Sequence, residues 1–388
     1  MNTRSLLIST ALTGAVLAGS VVTGVNTTYA TDLEPVHECR KDIAMKLSGQ
    51  VNRAVLYADN GEVDDTFFVD NDNSSTRLRV RAVGDVTCDF KVGAQIEVQF
   101  ESNSSSAIRF DQSGAAGPNN FTERKLEVWF DSEMWGRLWL GQGDTASNGT
   151  SEVDLSGTSV IAYSAVEDFA GGLEFENGQR IGAAFSNYDG LSRDDRVRYD
   201  TPTFAGFQLS TSFTDDNEWD VALRYAREFG GHRVAAAVSY VDGDRDKGFS
   251  SDYQISGSIS VLFGNGLNLT FASGTQKDEG TGVGQRDTFF TYGKAGWLFD
   301  VFEWGHTAIA FDVAYVANEA RGGDDAWAYG GFLVQKIDWV GTELYAGVRL
   351  YDVEHFAPVL VAGTNFGAVA SSDPGSIVAV MTGARVKF

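Results

Sequence analysis

The chain has 388 residues and a formal net charge of −23. This acidic balance argues against a nucleic-acid partner and favours contact with cations or with a surface bridged by cations. The length would allow two soluble domains, but no Pro-rich or Ser-rich linker and no change in composition divides the chain. After residue 19 no segment has the run of about eighteen apolar residues that a transmembrane helix needs.

The first thirty residues have the pattern of a secretory signal peptide. Arg4 supplies a positive start, residues 6–19 are apolar but too short to span a bilayer, and residues 28–30 end in the small Ala30 of a cleavage site. An ordinary N-terminal helix is the alternative. The predicted organisation is a signal peptide, a periplasmic N-terminal segment and one main domain, over residues 1–30, 31–44 and 45–388.

The hydrophobic pattern of the remaining chain has a period of two. In residues 89–100 every second position is apolar, whereas the positions between them include Lys91, Glu97 and Gln99. Residues 218–229 alternate in the same way. This alternation predicts strands with one apolar face and one polar face. The runs reach about ten residues, which suits a tilted strand that crosses a membrane.

Connections between these strands alternate in length. Short turns are predicted near residues 84–88, 132–135, 202–206, 230–232, 264–266, 300–305 and 338–341. Longer loops are predicted near residues 60–74, 101–120, 143–195, 215–217, 242–251, 277–286, 318–324 and 354–375. Together they join sixteen strands, and an even number places both chain ends on the periplasmic side. Residues 196–201 are taken as the strand after the longest loop; residues 180–186 compete for that place, and using both would break the even count.

A closed barrel explains how so many half-polar strands can occur together. In the hydrocarbon layer every backbone donor and acceptor must be satisfied within the protein, and closure of the sheet achieves this. About sixteen strands leave a lumen too wide for side chains to fill, so we expect it to hold water. The predicted fold is an all-β transmembrane antiparallel β-barrel, with a large secreted β-sandwich as the alternative.

The last strand carries a more specific signal. It places Arg385 and Lys387 on its inward face and ends in Phe388, an aromatic residue that suits the girdle at a membrane surface. This ending resembles the assembly signal of the Gram-negative outer-membrane general diffusion porins, of the alphaproteobacterial type. Four further segments resemble the first strand, the second strand and the strands before and after the constriction loop of that family: residues 47–57, 74–84, 135–142 and 198–202.

The resemblance implies a function and a set of partners. Porins of this kind are homotrimers through which small hydrophilic solutes and ions diffuse passively, and their third loop folds into the lumen. We therefore expect this chain in the outer membrane, in contact with the lipid bilayer and lipopolysaccharide, after insertion by the outer-membrane assembly machinery. We expect neither a cofactor nor a nucleic-acid partner.

Two cysteines lie close to the start of the predicted barrel. Cys39 precedes the first strand and Cys88 lies in the first short turn, so both come to the periplasmic end of neighbouring strands. Because an exported chain meets an oxidising compartment, we predict a disulfide between them. Two unrelated thiols are the alternative.

The second strand predicts a basic wall inside the channel. Arg77, Arg79 and Arg81 occupy alternate positions and therefore share one face, which must be the water-facing one because the other face is apolar. Lys125 faces inward for the same reason. In the family that this strand resembles, basic residues at matching positions form one wall of a constriction. Ordinary solvation of the lumen by long charged side chains is the alternative.

The third loop would supply the opposite wall. It carries the acidic residues Glu152, Asp154, Glu167, Asp168, Glu174 and Glu176. Residues 166–172 partly resemble the acidic-Phe-Gly-Gly turn of the porin family, but they lack its Pro and carry Ala170 before the glycines. Walls of opposite charge create a transverse field that favours dipolar, hydrophilic solutes. The excess of acid over base predicts a mild cation preference.

An outer-membrane enzyme, a substrate-specific channel and an adhesin are the competing functions. An enzyme needs a nucleophile with an oriented base, but the chain's four histidines are scattered and none has a partner at an informative spacing. A substrate-specific channel would carry aromatic ladders or a dense patch of one charge, and an adhesin would need fewer strands. The acidic stretches 64–73 and 242–246 are interpreted as solvated loops that could bind divalent cations loosely. The second stretch begins like a calcium-binding loop but lacks the Gly and the Glu that complete one.

Overall fold

The computed structural model describes residues 42–110, 121–243, 252–277, 287–319, 325–354 and 374–388. In these ranges, seventeen antiparallel strand segments form one sheet that closes on itself. They are β1 (Ala44–Asp59), β2 (Asp64–Asp70), β3 (Arg77–Thr87), β4 (Phe90–Phe100), β5 (Phe121–Ser132), β6 (Gly136–Asp144), β7 (Arg193–Asp200), β8 (Phe207–Thr214), β9 (Trp219–Phe229), β10 (His232–Asp242), β11 (Tyr253–Leu262), β12 (Leu267–Lys277), β13 (Thr288–Phe302), β14 (Gly305–Ala317), β15 (Asp325–Ile337), β16 (Thr342–Glu354) and β17 (Ser376–Lys387). Short 3₁₀ turns lie at Asp72–Ser74, Val166–Phe169, Ile181–Ala183 and Asp338–Val340. Among the described residues, no helix is long and apolar enough to cross a membrane.

The seventeen segments occupy sixteen places around the barrel. One edge of β1 pairs with β17. The other edge is shared, because residues 44–50 pair with β3 and residues 53–59 pair with β2. Thus β2 and β3 are two halves of one barrel strand, interrupted by the turn at Asp72–Ser74. The predicted antiparallel barrel of sixteen strands is confirmed.

The predicted loop at residues 60–74 is partly wrong, because β2 forms within it. The Asn60 side chain accepts the Val63 N–H at 2.9 Å and closes a tight turn, so the chain returns at once along β1. Phe67 and Val69 on β2 then face inward and are buried. The acidic composition of this stretch concealed a strand that tertiary packing stabilises.

The strand after the longest loop is β7, which agrees with the prediction at residues 196–201. The competing segment at residues 180–186 forms only the 3₁₀ turn Ile181–Ala183. The even count of barrel strands is preserved.

The outer face of the barrel is a belt of apolar side chains. Ile96 and Val380 are exposed, whereas Glu97 and Met381, their neighbours along β4 and β17, are fully buried on the inner side. This is the alternation expected from the sequence. Outside the barrel such side chains meet lipid, which satisfies the hydrophobic pattern without a second sheet.

The third loop, residues 145–192, lies inside the barrel. Its apolar side chains pack against the inward faces of β1, β2 and β13–β17. The large buried members of this cluster are Leu56, Phe67, Val69, Ile161, Val166, Phe169, Leu173, Phe175, Phe185, Phe290, Tyr292, Val316, Phe332, Val334, Tyr351 and Met381. Each such side chain contributes about 1.5–3 kcal/mol on burial, so this side of the lumen is a dry core. The prediction that side chains leave the lumen open to water does not apply on this side.

The two ends of the chain meet beside β1. The Phe388 N–H donates to the Gly49 carbonyl at 3.0 Å, and the Gly49 N–H donates to the Phe388 carbonyl at 2.8 Å. The proposed signal peptide and Cys39 lie outside the described residues. Cys88 follows β3, and its pairing with Cys39 stays a prediction.

Candidate functional site

A charged cavity of about 510 Å³ lies between the third loop and the inner faces of β3–β9. We call it the eyelet. The bases that line it are Arg77, Arg79, Arg124, Lys125, Arg193, Arg198 and Arg224. The acids that line it are Asp72, Glu97, Glu123, Asp144, Glu152, Glu167, Asp168 and Asp189. We call the seven bases the basic wall.

Glu97 on β4 holds three guanidinium groups of the basic wall. Its buried carboxylate lies 2.5 Å from Arg79, 2.8 Å from Arg124 and 3.7 Å from Arg77. Repulsion among three neighbouring cations would otherwise spread them along the lumen. The carboxylate therefore gathers them into one group that keeps an excess of positive charge.

Asp144 at the end of β6 holds two further bases of the wall in the same way. It is paired with Lys125, and its other oxygen lies 3.2 Å from Arg193. Asp144 and Glu97 thus lie among the bases and not opposite them. Asp200 lies 2.8 Å from Arg198 in the same way, so the seven bases outnumber these three buried carboxylates by four charges.

Two bases of the wall also bind the beginning of the third loop. Arg224 donates to the carbonyls of Ala146 and Asn148, at 2.7 and 2.8 Å. Arg198 donates to the Thr145 carbonyl at 2.9 Å. These contacts fix the point at which the loop enters the lumen.

Arg124 was missed by the sequence analysis because a bulge interrupts the alternation of β5. Glu97 pairs with Lys125, but the next residue, Val98, pairs with Glu123, so Arg124 is the extra residue. A bulge re-aims side chains locally, and here Arg124 and Lys125 both reach the eyelet. An alternating pattern assigns adjacent residues to opposite faces of a strand, so the sequence could place only one of Arg124 and Lys125 inside the barrel.

Arg81 does not join the basic wall. Its guanidinium lies 5.2 Å from the ring centroid of Trp129, nearer the end of the barrel that carries the short turns. Arg137 lies beside the same ring and beside Trp139, at 4.8 and 5.1 Å. Of the three arginines predicted on the second strand, Arg77 and Arg79 line the eyelet, and Arg81 packs between the eyelet and the short-turn end of the barrel.

The third loop presents a row of carboxyl groups to the eyelet, here called the acidic edge. It consists of Glu152, Glu167, Asp168 and Asp189. Burial raises the pKa of Asp189 to about 6 and that of Glu167 to about 8. Burial and the nearby charge of Asp72 raise the pKa of Asp168 well above its usual range. Asp189 and Asp72 were not predicted, because nothing in their local sequence indicates that they lie beside this loop edge.

Comparison with known families decides what kind of protein this is. The family model of the Gram-negative porins matches residues 5–355. The chain belongs to the Gram-negative porin family. It is therefore an outer-membrane diffusion channel, and its family and fold are those of a channel rather than of an enzyme.

Solved structures share the fold of this porin. The anion-selective porin from Comamonas acidovorans is 17% identical with a TM-score of 0.60, and the match covers 89% of this chain and 100% of that one. The trimer form of OmpT from Vibrio cholerae is 12% identical with a TM-score of 0.53, covering 89% and 99%. OmpF of Salmonella typhi, in complex with daunomycin, is 14% identical with a TM-score of 0.54, covering 89% and 97%. Curated protein sequences contain no match to the chain.

Three predicted acids of the porin, Asp154, Glu174 and Glu176, lie away from the eyelet. Asp154 is buried against Lys294 on β13. Glu174 lies 2.8 Å from Arg109 and 3.3 Å from Arg180. Of the six loop acids predicted to face the basic wall, Glu152, Glu167 and Asp168 line the eyelet, whereas Asp154, Glu174 and Glu176 do not.

Acidic oxygens of the porin also meet on the long-loop side of the barrel. The carboxylates of Asp194, Asp215 and Asp216 lie within 4.8 Å of one another. Of the two acidic stretches named from the sequence, residues 64–70 form β2, and residues 244–251 lie outside the described residues.

Proposed function

We propose that this porin is a passive channel whose eyelet favours small anions and dipolar hydrophilic solutes over cations. The observation that carries the proposal is the composition of the basic wall. Seven bases face the eyelet, and three buried carboxylates lie beside them as counter-charges, Glu97, Asp144 and Asp200. Across the eyelet stand carboxyls with raised pKa values, so part of the acidic edge is uncharged at neutral pH.

This preference is opposite to the one expected from net charge. The value of −23 is a sum over the whole chain, whereas a permeating ion responds to charges within about a Debye length, roughly 8–10 Å in physiological salt. At the eyelet the nearest charges are guanidinium groups. The Comamonas acidovorans protein, an anion-selective porin, shares this fold and supports a preference for anions.

The transverse arrangement also favours dipolar solutes. Positive charge on β3–β9 faces the acidic edge across the cavity, so a solute with separated charges can align between them. An apolar solute of the same size would have to displace ordered water without replacing its interactions.

The assembly and export of the channel are proposals that its family membership supports. We propose a homotrimer, as in the trimer form of the Vibrio protein, inserted by the assembly machinery with Phe388 as part of its signal and surrounded by lipid and lipopolysaccharide. We also propose that residues 1–30 are removed on export and that no cofactor is bound, apart from loosely held divalent cations on acidic loops. N-terminal sequencing of the purified protein and electrophoresis without heating test the cleavage and the trimer.

Planar-bilayer recording tests the channel and its selectivity together. With the full-length protein exported and purified from outer membranes, we expect stepwise conductance and a reversal potential in a potassium chloride gradient that shows anion preference. A cation-selective reversal potential would contradict the proposed selectivity. A complete absence of conductance from folded trimers would contradict the channel itself.

A further inference from the structure

Lys294 on β13 is buried on the inner face of the barrel, far along the sheet from the basic wall. None of its side chain is exposed. Its ammonium donates to the Asp154 carboxylate, to the Thr158 hydroxyl at 3.1 Å and to the Ala162 carbonyl at 2.8 Å. An ammonium group has three protons to donate, and here the third loop supplies an acceptor for each.

The loop segment around Lys294 is itself tightly folded. The Asp154 carboxylate accepts the Ser156 N–H at 2.7 Å. The N–H groups of Ile161 and Ala162 both donate to the Thr158 carbonyl at 3.0 Å. Residues 154–162 therefore wrap around the ammonium as one unit, which we call the latch segment.

The latch segment lies between the residues that form the acidic edge. Glu152 precedes it by two positions, and Glu167 and Asp168 follow shortly after Ala162. Because these acids line the eyelet, the position of the latch segment sets how far the acidic edge reaches toward the basic wall. Lys294 itself does not line the eyelet in the described structure.

We propose that Lys294 is a positioning residue that latches the third loop to the barrel wall and so sets the width and charge of the eyelet. The inference rests on the proposed channel function. A buried charge is stable only when it is paired and fully hydrogen-bonded, so the loop cannot shift from Lys294 without leaving both Lys294 and Asp154 buried and unpaired. The pair therefore acts as a two-state restraint, docked or undocked.

Neutral hydrogen bonds hold the segments on either side of the latch. The Val153 N–H donates to the Ser258 hydroxyl at 2.9 Å, and the Tyr351 hydroxyl donates to the Val166 carbonyl at 2.7 Å. The loop should therefore stay in the lumen when the latch is lost. The latch segment also keeps two neutral hydrogen bonds, from the Leu155 N–H to the Ser260 hydroxyl at 2.9 Å and from the Asn71 side chain to the Val160 carbonyl at 2.8 Å. What changes is how tightly residues 154–162 are held, and with it the constancy of the eyelet.

Single-channel recording of Lys294→Met tests the latch. Wild-type trimers should give conductance steps of one size with quiet open states. The variant should give a broader distribution of step sizes, at least twice the open-channel noise, and closure at lower voltage. Asp154→Asn should have the same effect or a stronger one, because it leaves the ammonium buried without a counter-charge. Lys91→Met removes an inward-facing lysine of β4 and is the matched control, expected to be as quiet as the wild type.

A paired substitution separates positioning from charge. Lys294→Met combined with Asp154→Leu replaces the ion pair by apolar groups, a change that buried pairs often tolerate, and should return the noise most of the way to the wild-type level. Thr158→Val removes one acceptor without removing a charge and should give intermediate noise; it carries the test if Lys294→Met does not assemble into trimers. Quiet, uniform steps in Lys294→Met, or in Thr158→Val where that variant stands in, would overturn the proposal. Wild-type trimers that do not conduct would contradict the channel function instead.

Discussion

Arg79 on β3 and Glu97 on β4 are directly paired in the barrel wall, with guanidinium and carboxylate 2.5 Å apart. The Glu97 side chain has no exposed surface, whereas 40% of the Arg79 side chain is exposed. Arg79 can therefore meet a solute and Glu97 cannot. We therefore expect Glu97 to act on permeation through the arginines that it holds.

Glu97→Gln should separate two effects on anions: the net charge of the eyelet, and how firmly its guanidinium groups are held in place. The substitution removes one negative charge, so the reversal potential should move toward anions. It also removes charge-assisted hydrogen bonds, worth about 1.5–3 kcal/mol each, so the guanidiniums are less well held. Block of the current by inorganic phosphate should therefore weaken by about tenfold, which corresponds to roughly 1.4 kcal/mol.

Glu123→Gln is the matched control, because Glu123 lines the same eyelet but is exposed at the bulge of β5. It should shift the reversal potential without weakening the phosphate block. Stronger block in both variants would show that net charge alone governs anion binding.

The two arginines at positions 79 and 81 should differ in their effect on selectivity. Arg79 lines the eyelet, whereas Arg81 packs over Trp129. Arg79→Ala should move the reversal potential clearly toward cations, and Arg81→Ala should leave it close to the wild-type value. Equal shifts would mean that the field of the whole lumen, and not the eyelet, sets the preference. The measurement is the reversal potential in a tenfold gradient of potassium chloride.

Anion preference should fall as pH rises from 5 to 9. The pKa of Asp189 is raised to about 6 and that of Glu167 to about 8. Below both values these carboxyls are neutral, so the basic wall dominates; above both they are anionic and offset part of it. Reversal potentials measured across this range should shift steadily toward cations.

A double variant checks the assignment of this titration. Asp189→Asn with Glu167→Gln removes both groups and should make the change in reversal potential between pH 5 and pH 9 smaller than in the wild type, while Asp168 and Glu152, whose pKa values are also raised, still titrate. A pH dependence as large as in the wild type would assign the titration to other groups.

Gly93 on β4 should be intolerant of a side chain. A Cβ at this position would lie 2.1 Å from the Trp129 indole, which covers the glycine. Gly93→Ala would push the indole away from Arg81 and Arg137, and overpacking of this kind lowers the free energy of unfolding by about 1–3 kcal/mol. Gly84→Ala on β3 is the control, since its Cβ would meet Ile43 at an ordinary 3.6 Å, and it should change stability by about 0.5 kcal/mol or less. Denaturant unfolding of both variants in lipid vesicles measures the difference.

Much of the barrel could be read from local pattern. The alternation of β4, β9 and β17 predicts which side chains face outward, because adjacent residues of a strand necessarily point to opposite faces. The same rule placed Lys125 inside. The even number of strands followed from the alternation of short turns and longer loops, which can be recognised from their local composition.

The eyelet could be read only in part. Arg124 enters it through a bulge that depends on the pairing of β4 with β5. Asp72 and Asp189 reach it because distant segments of chain meet there. β2 was hidden by its acidic composition, since pairing with β1 and burial of Phe67 depend on residues far away in sequence.

The sequence by itself determined a closed barrel of sixteen strands, each with one apolar face and one polar face, and with arginines on the inner face of one strand. These features depend on relations between residues one or two positions apart, which any stretch of chain displays. Tertiary structure alone decided the path of the third loop, the dry core behind it and the pairing of Asp154 with Lys294 across 140 positions of sequence. Such contacts form because burial and charge pairing act through space, and a linear pattern does not record which distant residues will meet.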